Sequence, residues 1–150
     1  MGEIRTLIVD DSSVMRKIVE RALRQAGLEL LVVHEAGSGT EGLDLLRAQP
    51  VDLILSDINM PSMDGLEFLR QIRVQNLAPG VPVVMITTES SEEHVKQAIE
   101  AGARGYIRKP FTAEQVKERV LPLVRAAGPG VRSVADREGE ALLNRRAPCY

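Results

Sequence analysis

The 150-residue chain has no tryptophan, two phenylalanines, two tyrosines and a single cysteine, Cys149. Surfaces that stack on nucleobases or sit in a membrane interface are built largely from aromatic rings, so this composition argues against both. One cysteine cannot close an internal disulfide, which favours a reducing compartment and a cytoplasmic location. An excess of charge is also missing: 19 Lys and Arg stand scattered against 21 Asp and Glu, net −2, and no basic footprint for nucleic acid emerges. No apolar run approaches the ~20 residues of a membrane span, and the opening MGEIRTLIVDD is not that of a secretory leader. At 44% hydrophobic and 27% charged, the chain is of ordinary composition and long enough for one domain with a buried core.

Short β-branched runs alternate with longer amphipathic stretches five times over. The runs lie at 6–9, 30–33, 53–55, 81–86 and 105–107, and their near-continuous Val/Ile/Leu content predicts parallel strands buried on both faces. In the first helical stretch Val14, Ile18 and Ala22 recur every fourth residue, flanked by Met15, Val19 and Leu23. Ser12 or Ser13 is available as N-cap, and Gly27 stops the helix. A second helix is expected at 40–48, ending before Pro50. A third carries Leu66, Leu69 and Ile72, and a fourth carries Val95, Ala98 and Ile99 and ends at Gly102. The fifth carries Val116, Val120, Leu123 and Val124, with Pro122 expected to bend or loosen its last turn. Strand alternating with helix predicts an α/β fold, a doubly wound five-stranded parallel sheet with helices on both faces. The pattern covers residues 1–127. Residues 128–150, beginning Gly128-Pro129-Gly130, are polar and arginine-rich and are expected to form a flexible tail or the remnant of something longer.

Ligands of such sheets bind at the carboxyl ends of the strands. There the sequence places Asp10 and Asp11 after the first strand, Asp57 after VDLILS, Thr87 after the fourth run and Lys109 after the fifth. Two unit charges 4 Å apart cost about 4 kcal/mol at an effective dielectric of 20, so three crowded carboxylates call for a neutraliser. A hard divalent cation with oxygen ligands, Mg²⁺, suits them and leaves coordination positions open for phosphate oxygens. Lys109 supplies a point charge for a phosphoryl oxygen, and Thr87 a hydroxyl donor. Asp57, at the end of the central strand, is the best candidate nucleophile toward phosphorus. An Asp-Asp pair alone is more often a solvated turn; what carries weight is the joint occurrence at four strand ends.

The stretches IVDDSSVMR, LSDINMPSMDGLEFL, VVMITTE and GARGYIRKPF resemble the receiver domain of bacterial response regulators, most closely its single-domain, CheY-like chemotaxis members, over about residues 4–126. The resemblance implies the flavodoxin-like strand order 2-1-3-4-5 and a phosphorylation switch rather than an enzyme acting on outside substrates. It implies Asp57 as phosphoacceptor, loaded by a histidine kinase, and Mg²⁺ held by Asp11, Asp57 and the backbone carbonyl of Asn59, with Asp10 acting through a water. Lys109 would pair with the phosphoryl group, Thr87 would hydrogen-bond it, and Tyr106 would swing into the space Thr87 vacates. Asn59 and Glu89 would set a phosphoryl lifetime of seconds to minutes, and Pro110 would follow a cis bond.

The output face implied is the fourth helix, fifth strand and fifth helix, with Gln97, Ala101, Ala103, Tyr106 and Lys117 as candidates to line it. A flagellar switch or chemotaxis array is the expected destination of a monomer that binds neither nucleic acid nor membrane. A phosphorelay shuttle, or the receiver part of a longer regulator, is the alternative. Aspartate-based phosphatases of the haloacid-dehalogenase kind carry a second Asp two residues after the nucleophile; here Ser12 follows Asp10 and Asn59 follows Asp57 at that spacing. His34, read as ending an interior strand, and His94 have no metal-like partner in sequence. Gly65, in the loop after Asp57, is expected to adopt a backbone conformation closed to other residues.

Overall fold

A computed structural model describes residues 3–88 and 92–127. Five strands, β1 (Ile4–Val9), β2 (Leu30–Ala36), β3 (Leu53–Asp57), β4 (Val83–Thr87) and β5 (Gly105–Arg108), form one parallel sheet in the order β2-β1-β3-β4-β5. The helices between and after them are α1 (Ser13–Gln25), α2 (Gly39–Ala48), α3 (Gly65–Val74), α4 (Glu92–Glu100) and α5 (Ala113–Ala127). This is the α/β architecture the alternating pattern predicted. The expected tail at 128–150 and Glu89 lie outside the described residues. No described helix is long and apolar enough to cross a membrane.

Strand periodicity divides the core into two layers. Successive side chains point to opposite faces, so Ile8, Leu53, Leu55, Val84 and Ile86 pack with Val19 and Leu23 of α1 and Val116, Val120 and Val124 of α5. Leu7, Val9, Ile54, Val83 and Met85 pack on the other face with Leu43 of α2, Phe68 and Leu69 of α3 and Ala98 of α4. Burial on both sides makes β3 and β4 the least solvated strands: every residue in them is buried.

Three expectations need correction. β2 is an edge strand, so its run is not buried on both faces: Leu31 is 55% exposed and Val32 38%. His34 therefore sits inside an edge strand, two residues before its end. In α1 the expected stripe is only partly inward: Val14 and Ile18 face solvent, at 68% and 44% exposure, whereas Ala22 is buried together with Val19 and Leu23 of the neighbouring stripe. The two stripes are offset by one residue, and only the packing partner decides between them.

Helix boundaries follow local chemistry. Ser12 is the N-cap of α1, accepting from the Met15 N–H at 3.2 Å, and Ser38 and Asp64 do the same for α2 and α3. Gly27, with φ 99°, turns the chain out of α1 as expected. Pro122 does not end α5, which runs on to Ala127. Pro122 and Glu118 both lie on the exposed side of the helix, where loss of one main-chain donor is tolerated.

Candidate functional site

The parallel register brings the strand ends level. Val9 stands beside Ala36 and Ser56, Asp57 beside Ile86, and Thr87 beside Arg108. Whatever follows these positions must gather at one edge of the sheet. The main chain reinforces the alignment: the Asp10 N–H donates to the Ala36 carbonyl at 3.0 Å, and the Lys109 N–H to the Thr87 carbonyl at 2.8 Å. Asp10, Asp11, Asp57, Thr87 and Lys109 are thus brought to one edge from four strands.

Asp10, Asp11 and Asp57 each offer an oxygen, all within 4.8 Å of one another. Asp10 and Asp57 are buried, at 4% and 7% exposure, while Asp11 opens to solvent. The Lys109 ammonium stands 3.4 Å from Oδ2 of Asp10 and 3.5 Å from Oδ2 of Asp57. Oδ1 of Asp10 accepts from the Ser12 N–H at 2.9 Å, and Oδ1 of Asp57 from the Asn59 N–H at 3.3 Å. One ammonium facing three carboxylates leaves negative charge in excess. Burial holds the Asp57 pKa above its ordinary 3.8; Asp10 pushes the same way, against the Lys109 charge and the Asn59 N–H. A site of hard oxygen donors with surplus negative charge suits a small divalent cation.

Lys109 is followed by the cis Lys109–Pro110 bond, as expected. Thr87 is fully buried at the end of β4. Tyr106 on β5 is half-buried, with the Arg119 guanidinium 5.5 Å over its ring, within cation–π range. Of the residues expected on an output face, Ala103 is excluded: it is 1% exposed within the core layer beneath α4. Gln97 and Ala101 line a cleft between α3 and α4 together with Arg70 and Arg73. Tyr106 and Lys117 stand on β5 and α5, and Lys117 is exposed.

One support escaped the sequence, and a second was expected there for a different reason. Arg16 reaches back from the first turn of α1 to the Asp10 carbonyl at 2.6 Å, while its Nε holds Glu35 of β2 at 2.9 Å. Its position six residues after Asp10 was the only signal. The second is Gly65, which is not in the left-handed region, contrary to expectation. Its constraint is space: a Cβ there would collide with the Asp57 carbonyl oxygen and lie 2.8 Å from Ile58 Cα. The Gly65 N–H donates to the Ile58 carbonyl at 2.7 Å, so α3 begins directly against the backbone that carries Asp57.

Comparison with known proteins agrees with the fold. Residues 6–121 match the family described as response regulator receiver domain. The chain is 38% identical over 117 residues to the chemotaxis protein CheY of Pseudomonas aeruginosa, covering 78% of this chain and 93% of that protein. It is 41% identical over 117 residues to chemotaxis protein CheY-3 of Vibrio cholerae, covering 78% and 88%. The crystal structure of Vibrio cholerae CheY4 superposes with a TM-score of 0.72 at 35% identity, over 81% of this chain and 99% of that one.

Proposed function

The chain belongs to the response regulator receiver domain family, and from that premise we propose that Asp57 is the phosphoacceptor of a two-component switch. The observation that carries the proposal is the Lys109 ammonium poised 3.4 and 3.5 Å from Asp10 and Asp57 beside the exposed Asp11. A buried carboxylate in that setting gains from any change that brings cations to it. The receiver itself spans residues 1–127 in this reading.

In the loading step a carboxylate oxygen of Asp57 attacks the phosphorus of a phosphohistidine on a histidine kinase. The P–N bond breaks, and the imidazole keeps the bonding pair and takes a proton. The phosphoryl group brings roughly −1.5 to −2 charge, by analogy with phosphorylated hydroxyls. Lys109 offsets part of it, and Thr87 turns its hydroxyl to a phosphoryl oxygen. Asp11, Asp57 and the Asn59 carbonyl would hold Mg²⁺ directly, and Asp10 through a water. When bound, Mg²⁺ neutralises the charge that gathers on the transferring oxygens. Resetting is a separate hydrolysis: water adds to phosphorus, the acyl O–P bond breaks, and the Asp57 carboxylate is released with inorganic phosphate. Asn59 and Glu89 set a lifetime of seconds to minutes.

Thr87, once turned, vacates space that Tyr106 enters, and the surface of α4, β5 and α5 changes with it. An output protein reads that surface; the kinship with chemotaxis proteins points to a flagellar switch, reached by a cytoplasmic monomer. The test is intact-mass measurement after incubation with Mg²⁺ and a small phosphodonor. One added phosphoryl group, decaying within minutes and lost in Asp57→Asn, supports the reading. No adduct, or an adduct that survives Asp57→Asn, contradicts it.

A further inference from the structure

The segment between Asp57 and α3 carries Asn59, whose N–H bonds Asp57 and whose carbonyl is proposed for the metal. What fixes that segment in space is therefore part of the site. Its far end makes a three-residue turn, the Met63 N–H donating to the Pro61 carbonyl at 2.8 Å, with Ser62 at φ 68°. Such a turn is strained for a residue with a Cβ, so something must hold it. The side chain of Met63 lies on α2, over Gly39, the first residue of that helix. A Cβ on Gly39 would meet Met63 Sδ at 2.7 Å, Cγ at 3.0 Å and Cβ at 3.3 Å.

Two features make this more than ordinary packing. The backbone of Gly39 is outside the left-handed region, so any residue could adopt it and only space demands glycine. The obstruction also includes Met63 Cβ, so a new side-chain rotamer clears Sδ and Cγ but leaves a 3.3 Å contact that the loop relieves by shifting a few tenths of an ångström. One turn along α2, Gly42 gives room in the same way to the Phe68 ring of α3, which would stand 2.8 Å from a Cβ added at Gly42. The glycines of α2 thus form a bed on which both the loop and the helix after it are seated.

We propose that Gly39 is a positioning residue for the site: by seating Met63 it fixes the loop that presents Asn59, and so sets the affinity for Mg²⁺. This rests on the reading of the acid cluster as a Mg²⁺ site. The experiment is a Mg²⁺ titration of the full chain, followed by the amide signals of Asn59 and Asp57. Gly39→Ala is expected to weaken Mg²⁺ binding about tenfold and to displace the Asn59 and Met63 amides before any metal is added, while the rest of the spectrum stays folded. Met63→Ala unpins the same loop and weakens binding about threefold. In the Met63→Ala background, adding Gly39→Ala should change affinity by less than about twofold, because the two act through one contact.

Wild-type affinity in either single variant overturns the proposal, as does full additivity in the double variant. Should Gly39→Ala fail to fold, Met63→Ala alone still decides. If wild type itself binds no Mg²⁺, or Asp57→Asn binds it equally well, the reading of the acid cluster falls and this inference with it. Normal wild-type binding with unaffected variants removes this inference alone.

Discussion

At Asp57, burial holds the pKa above its ordinary 3.8, with Asp10 pushing the same way and Lys109 pulling against both. A carboxyl whose folded pKa is raised binds its proton more tightly when folded. The stability it contributes is present below pH 3.8 and is lost as pH rises through the raised value. Without metal, Asp57→Asn should therefore match wild type at low pH and exceed it in stability at neutral pH. Urea unfolding across that range checks this, and a neutral variant less stable than wild type at pH 7 contradicts it. Thr6 presents the opposite case, a buried hydroxyl with no partner among the described residues and no place in the chemistry. Replacing it with the isosteric Val removes an unpaired polar group, so Thr6→Val should raise stability by about 1 kcal/mol. A loss of stability on denaturant unfolding would mean that the hydroxyl is satisfied in solution.

Among the elements, the start of α3 carries the tightest constraint. Gly65→Ala must push α3 away from the Asp57 carbonyl and from Met85 Cε, 2.7 Å from the added carbon. Gly27→Ala adds its methyl to open space and meets only the penalty of φ 99°. The first should cost about 3 kcal/mol and the second about 1 kcal/mol, and thermal unfolding of the pair would reverse that order if conformation rather than space governed Gly65. The contrast also shows how far sequence reaches. Local chemistry was legible: β-branched runs gave the strands, Ser12 or Ser13 the cap, Gly27 the stop, and carboxylates at or just past strand ends the acid cluster. Contacts made across the fold were not. Nothing local says that β2 lies at an edge, that Val19 rather than Ile18 faces the sheet, or that Gly65 is needed for space. Arg16 and Met63 belong to the same class, since each supports the site from an element whose neighbour only topology decides.

Across the whole molecule, two core layers clamp the central strands, and the site lies at the edge where those strands end. A ligand bound there adds to the stability of the entire domain, by about 2.7 kcal/mol at one hundred times its dissociation constant. Mg²⁺ together with beryllofluoride, a mimic of the phosphoryl group, should therefore raise the melting temperature of wild type and leave Asp57→Asn unchanged. The central claim, that Asp57 accepts a phosphoryl group with Mg²⁺ at this acid cluster, is tested most directly by fluorine NMR of the full chain with beryllofluoride. The account predicts a bound signal that requires Mg²⁺, is present in wild type and is absent in Asp57→Asn. No bound signal in wild type, or one that persists in the variant or without Mg²⁺, would contradict it.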